Sequence, residues 1–145
     1  MTLKSAWRFT LHRLFFGDML LNWFLGGLLT FFPSPVDRLM GQAPLLTMGI
    51  YRLIGVGFLA FAAWQTWCIA RQRLGPAGLV FAALMAEGPV VLLTIALVFM
   101  DFPLRPVARV ALWVGDVYML FLGAWYLFLA RWLAKEGPVQ PQETG

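Results

Sequence analysis

Four long apolar segments, separated by short polar or proline-containing stretches, dominate the chain. They cover about residues 15–32, 47–70, 76–100 and 107–133. Each is long enough to cross a bilayer as a helix, which takes roughly 17–25 residues. The connections between them are short. The pattern therefore predicts an all-α fold, an integral membrane antiparallel four-helix bundle formed by residues 15–135.

Composition supports lipid as the solvent. Of the 145 residues, 61% are hydrophobic and only 12% are charged, whereas a soluble domain carries about 25% charged residues. The net charge of +4 comes from basic residues beside the apolar segments, without a basic patch interleaved with exposed aromatics. Nucleic acid is therefore not an expected partner.

The basic residues also predict an orientation, because cytoplasmic loops are enriched in lysine and arginine. Seven of them fall on one side of the predicted bundle, and three fall on the other. The seven are Lys4, Arg8, Arg13, Arg71, Arg73, Arg131 and Lys135, and the three are Arg38, Arg105 and Arg109. Both termini are therefore expected in the cytoplasm, and the predicted location is a bacterial inner (cytoplasmic) membrane.

The N-terminal segment, residues 1–14, is basic and amphipathic. Lys4 and Arg8 recur at helical spacing, Arg13 extends the basic character, and Trp7 lies on the apolar side. Such a helix is suited to the headgroup layer, with its cations on anionic lipid. It is predicted as an N-terminal interfacial amphipathic helix. The alternative is a continuous extension of the first span. The last ten residues, 136–145, are rich in proline and glutamine and are predicted to be disordered.

A short helix is predicted between the first two spans. Ser34 is a candidate N-cap, Pro35 fits the first helical position, and Asp37 completes a capping-box pattern. Gly41 is a candidate left-handed stop. Such a helix would lie at the outer membrane interface, where it could form a lid.

The most unusual stretch is Glu87-Gly88-Pro89, inside the third apolar segment. Counted from Pro76 at 1.5 Å per residue, Glu87 lies about 16 Å deep, near the middle of a hydrocarbon core of about 30 Å. Desolvation disfavours a charged carboxyl there, so a neutral one is expected, with Asn22 as a candidate partner. Pro89 cannot donate to the preceding helical turn. Two interpretations stay open: a ligand or proton site at a polar notch, and a packing kink.

A second polar feature is the possible pair of Arg52 and Asp116. Both lie roughly 8–10 Å below the outer boundary of the predicted bundle. The sequence therefore predicts an intramembrane ion pair between the second and fourth spans, and its expected role is helix registry. The alternative is that Arg52 extends to the headgroups and leaves Asp116 facing a water-filled cavity.

Motifs for reactive chemistry are absent from the sequence, and no metal site is predicted. The single Cys68 excludes an intramolecular disulfide, and no hydrolase, zinc-protease or phosphate-loop motif is present. The leading hypothesis is a non-enzymatic subunit that packs against other integral membrane subunits or itself. Lipid, quinone or pigment would be bound in its grooves. The alternatives are a homo-oligomeric proton-coupled transporter and, third, a lipid-modifying or isomerase-like enzyme.

Overall fold

The computed structural model describes residues 3–42, 44–71, 74–99 and 103–135, without the side chains of residues 3–11, 90, 93, 96 and 97. The tail predicted to be disordered, 136–145, lies outside the described residues. The described chain is helical apart from its connections and one isolated β-bridge. The prediction of an all-α fold is confirmed for this part of the chain.

Five helices follow one another along the chain. They are α1 (Leu3–Phe31), α2 (Pro33–Met40), α3 (Met48–Ala70), α4 (Pro76–Phe99) and α5 (Pro106–Lys135). The ends agree with the predicted segments to within two residues, except at the start of α1. Helix α4 continues through Pro89.

Three helices of the described chain are long and apolar enough to cross a membrane. They are His12–Phe31 with a mean hydropathy of 1.4, and Met48–Ala70 and Pro106–Lys135 with 1.6 each. This finding fits a small membrane protein. A fourth crossing by α4, and with it the four-helix bundle, remains a prediction.

The N-terminal amphipathic segment is not a separate element. Helix α1 has no end near residue 14, and it runs without a break from Leu3 to Phe31. The interfacial helix is therefore corrected to the alternative, a continuous extension of the first span. Nothing in this stretch breaks a helix, because it contains no proline and its first glycine is Gly17.

Helix α2 exists as predicted, but its ends differ. It begins at Pro33 after Phe32 and has no side-chain cap, because proline without an N–H fits the first helical position. The predicted Ser34 cap is therefore wrong. The left-handed stop is also wrong, since Gly41 has φ −100° and ψ 153°. Gly41 is extended because it forms a β-bridge with Leu104.

The chain divides into two compact units. The first comprises Met1–Arg73 with Asp101–Ala111, and the second comprises Leu74–Met100 with Leu112–Gly145. In the first unit, the connection after α2 pairs with the connection before α5. The Gln42 N–H donates to the Pro103 carbonyl at 2.8 Å, and the Arg105 N–H donates to the Met40 carbonyl at 2.9 Å. This pairing places both connections, which the sequence assigned to one side of the membrane, next to each other.

Each unit has its own core. In the first unit, the largest of the fully buried side chains described are Phe15 and Gln65. The Phe15 and Trp64 rings pack edge to face, with their centroids 6.2 Å apart. In the second unit, the buried apolar residues of α4 are mostly alanines, and those of α5 are mostly large. The members of this second core are Leu79, Ala82, Ala83, Ala86, Leu122, Tyr126, Leu129 and Ala130.

Candidate functional site

Three polar side chains between α1 and α3 are joined by hydrogen bonds. Gln65 donates its Nε2 to Asp18 Oδ2 at 2.7 Å, while Asn22 donates its Nδ2 to Asp18 Oδ1 and to Gln65 Oε1, each at 3.1 Å. All three side chains are at most 2% exposed. Buried polar groups cost free energy unless they are paired. Here the carboxylate is paired with two amides, so the cluster ties the two helices together.

Two glycines let the same helices approach each other closely. A Cβ added at Gly55 would lie 2.7 Å from the Thr30 nitrogen and 2.9 Å from the Gly26 oxygen. A Cβ added at Gly26 would lie 2.9 Å from the Leu59 nitrogen. Backbone atoms cannot move aside as a flexible side chain can, so only glycine fits at both places. Small residues at such crossings are typical of membrane helices.

These contacts follow one face of α1. Its successive positions Asp18, Asn22, Gly26 and Thr30 are four residues apart, so they lie on one side of the helix. Asp18 contacts Gln65 near the end of α3, whereas Thr30 lies beside Gly55 nearer its start. The same face therefore carries the polar cluster at one end and the close backbone approach at the other.

Asp37 anchors the connection between α2 and α3. Its Oδ1 accepts the Tyr51 hydroxyl at 2.7 Å and the Leu45 N–H at 3.0 Å. These hydrogen bonds hold the pKa of the Asp37 carboxyl below its usual value of 3.8. The bond from the Leu45 backbone has the larger effect, and the bond from Tyr51 has the next largest. The predicted capping role of Asp37 is therefore replaced by a tertiary one.

In the second unit, the Glu87 side chain lies against the backbone of α5 at Gly123. A Cβ added at Gly123 would lie 2.6 Å from Glu87 Cγ and 2.9 Å from its Cδ. Glu87 is half-buried, while Gly88 and Pro89 are exposed. The three residues predicted to form a polar notch therefore differ in their exposure. Within the described residues, no hydrogen-bond partner of the Glu87 carboxyl is found.

Asp116 lies at the same α4–α5 interface. It is 3% exposed and accepts a hydrogen bond at Oδ2 from the Thr94 hydroxyl at 2.9 Å. Thr94 follows Glu87 by seven residues on α4, and Gly123 follows Asp116 by seven on α5. Each helix therefore turns both of its positions towards the other, since seven residues make nearly two helical turns. One interface holds two carboxyls, roughly 10 Å apart along α4 at 1.5 Å per residue.

The two predicted pairs, Asn22 with Glu87 and Arg52 with Asp116, join residues of different units, and they stay predictions. Asn22 has partners in its own unit, as described above. Arg52 is exposed on α3, while Asp116 is bonded to Thr94.

The predicted membrane-surface residues are only partly described. The side chains of Lys4, Trp7 and Arg8 lie outside the described residues. Arg13 is described and exposed, and it borders a cavity of about 240 Å³ together with His12, Phe16 and Ile69.

Two positions at these helix interfaces, Gln65 and Gly123, were not predicted from the sequence. Gln65 carried a signal, because an amide inside an apolar span requires a polar partner. Gly123 carried no such signal, because the need for a glycine at this position arises only from the nearby Glu87 side chain.

Comparison of the sequence with protein-family models, with curated proteins and with solved structures finds no match. Among the described residues, no group of three or more histidine, cysteine, aspartate or glutamate side chains is arranged to hold a metal ion.

Proposed function

We propose that the chain is a non-enzymatic subunit of a membrane assembly, with four helices crossing a bacterial inner membrane and both termini in the cytoplasm. Its outer surface packs against other integral membrane subunits or further copies of the chain, and its grooves hold lipid, quinone or pigment. The polar groups support this proposal, because Asp18, Asn22 and Gln65 bond to one another. Such a cluster stabilises a scaffold.

The observation that carries the proposal is an apolar stripe on the outside of α5. Its members, all in the second unit, are Val114, Val117, Phe121 and Phe128, which are 52–66% exposed. They recur at alternating intervals of three and four residues, with Ala124 at the one intervening step. This spacing of about 3.5 residues is that of helices that pack side by side. The stripe therefore suits contact with another helix.

Disulfide cross-linking in native membranes tests the proposal. The only native cysteine, Cys68, is buried, so an introduced cysteine dominates the reaction. Val117→Cys should form a cross-linked species of higher mass, whereas Leu92→Cys should not. The control residue is 70% exposed on α4, and Val117 is 66% exposed. Equal cross-linking of both variants, or a purified chain that remains a stable free monomer, would contradict a specific subunit contact.

A second candidate function is a small homo-oligomeric proton-coupled transporter, and Glu87 favours it. Its half-buried carboxyl lies against Gly123 without a hydrogen-bond partner among the described residues. Ionisable groups inside spans mark ion and proton paths. Proton flux into vesicles containing the purified chain should be lost in Glu87→Gln, with the thermal unfolding curve unchanged. Undiminished flux in this variant would leave Glu87 with a structural role.

A further inference from the structure

The cavity bordered by Arg13 combines features that belong to the membrane–water boundary. Its residues His12, Arg13 and Phe16 lie at the first turn of the apolar stretch of α1, and Ile69 lies one residue before the end of α3. The cavity is therefore at the ends of two predicted spans. Phosphate headgroups lie at this level of a bilayer.

The lining of the cavity is chemically divided. Phe16 and Ile69 provide an apolar wall, while His12 and Arg13 provide N–H donors. A guanidinium presents a planar fork of donors that matches two oxygens of a phosphate. Both basic side chains are exposed, and both border the cavity.

The size of the cavity restricts the ligand. Its volume is about 240 Å³, below the roughly 300–1,000 Å³ of sites that enclose a whole drug-sized molecule. The cavity therefore suits one part of an amphiphile, a headgroup with the first carbons of its chains. The remainder of such a molecule would lie in the bilayer along the outside of the helices.

We propose that this cavity binds the phosphate headgroup of an anionic phospholipid, with Arg13 and His12 on the phosphate and Phe16 and Ile69 against the adjoining carbons. The inference rests on the proposed location in a membrane and is independent of any subunit contact. It gives the chain a lipid-selective site on the side where the sequence concentrates basic residues.

Native mass spectrometry of the purified full chain tests the site, with phosphatidylglycerol and phosphatidylcholine as probes. Phosphatidylglycerol should bind more tightly, and Arg13→Gln should weaken it about fivefold, the usual contribution of one basic residue at an anionic surface. The matched control is Arg71→Gln. It removes the same charge from an exposed residue next to the end of α3 that does not line the cavity, and it should change binding less than twofold.

Three results would overturn the proposal. They are equal binding of both lipids, equal losses in the two arginine variants, and displacement of the lipid by an excess of inorganic phosphate, which would indicate a site for free phosphate instead. The unfolding temperatures of Arg13→Gln and Arg71→Gln, measured beside that of the wild type, separate a loss of lipid binding from a loss of folding. The cross-linking at Val117 does not involve this cavity, so failure of one proposal is distinguishable from failure of the other.

Discussion

The two helix pairs of this chain, α1 with α3 and α4 with α5, place carboxyl groups in their interfaces in different ways. Between α1 and α3, Asp18 is bonded to two amide side chains, and the backbones meet at Gly26 and Gly55. Between α4 and α5, Glu87 fills the space beside Gly123, and Asp116 receives one bond from the Thr94 hydroxyl. The Asp18 carboxylate therefore has two amide partners in the first interface. The Glu87 carboxyl in the second interface lies in the space left by the missing side chain of Gly123.

The difference separates polar groups that stabilise from those available for a function. A carboxylate with paired amides is held in one position, and removing a partner leaves an uncompensated buried group. Among the described residues, the Glu87 carboxyl beside Gly123 belongs to no such network. We therefore expect the α1–α3 interface to stabilise the fold, and Glu87 is the residue to examine for function.

The largest expected effect is at the crossing of α1 and α3. Gly55→Ala places a Cβ against the backbone at Thr30 and Gly26, and we expect a loss of about 2–3 kcal/mol, typical of overpacking. The control is Gly57→Ala on the same helix, where a Cβ meets nothing within 4 Å. Chemical unfolding of the purified chain in bicelles measures both. Equal stability of the two variants would show that the helices do not cross as closely as described.

Removal of an amide from the polar cluster should have the next largest effect. Gln65→Leu deletes the donor to Asp18 and the acceptor of Asn22, which should cost about 1–2 kcal/mol. The matched variant is Thr66→Val, which deletes the acceptor of the exposed Trp23 indole and should cost about 0.5 kcal/mol. The same unfolding assay applies. A smaller loss for Gln65→Leu than for Thr66→Val would contradict a stabilising cluster.

The Asp37 anchor should make stability depend on pH. Its pKa is lowered in the folded chain, so its contribution is complete above 3.8 and is lost as the pH falls below 3.8 through the folded-state pKa. Tyr51→Phe deletes the 2.7 Å hydrogen bond, which should cost about 1 kcal/mol near neutral pH and less in acid. Melting temperatures between pH 3 and 7 measure this. Parallel curves for wild type and variant would contradict the contribution of this hydrogen bond to the shift.

The smallest effect is expected at the α4–α5 interface. Gly123→Ala puts a Cβ against the Glu87 side chain, a flexible neighbour that can turn away, so we expect a change of at most about 1 kcal/mol. The added Cβ meets a side chain in Gly123→Ala and backbone atoms in Gly55→Ala, so the two variants compare the same substitution in two surroundings. A loss as large as that of Gly55→Ala would make the two interfaces equivalent and would place Glu87 in the scaffold.

Several local features were predictable because short-range rules decide them. The break at Gly75-Pro76 and the start of α3 after Thr47 follow from turn and capping chemistry, and Thr47 does accept the Ile50 N–H. The Gly41 stop failed for the opposite reason. Its backbone conformation depends on Leu104, which is more than sixty residues away in the sequence.

Hydrophobic spacing along the chain was sufficient to predict four long helices and all of their ends except the start of α1, because a helix in lipid must satisfy its backbone hydrogen bonds within itself. The partners of the polar side chains were decided only in three dimensions. Spacing shows that Asp18 and Asn22 share a face of α1. It does not show that Gln65 of α3 forms hydrogen bonds with both of them. Likewise, the position of the Glu87 side chain depends on Gly123 of another helix. The lack of a Cβ at this glycine has a structural effect only because a neighbouring side chain fills the space.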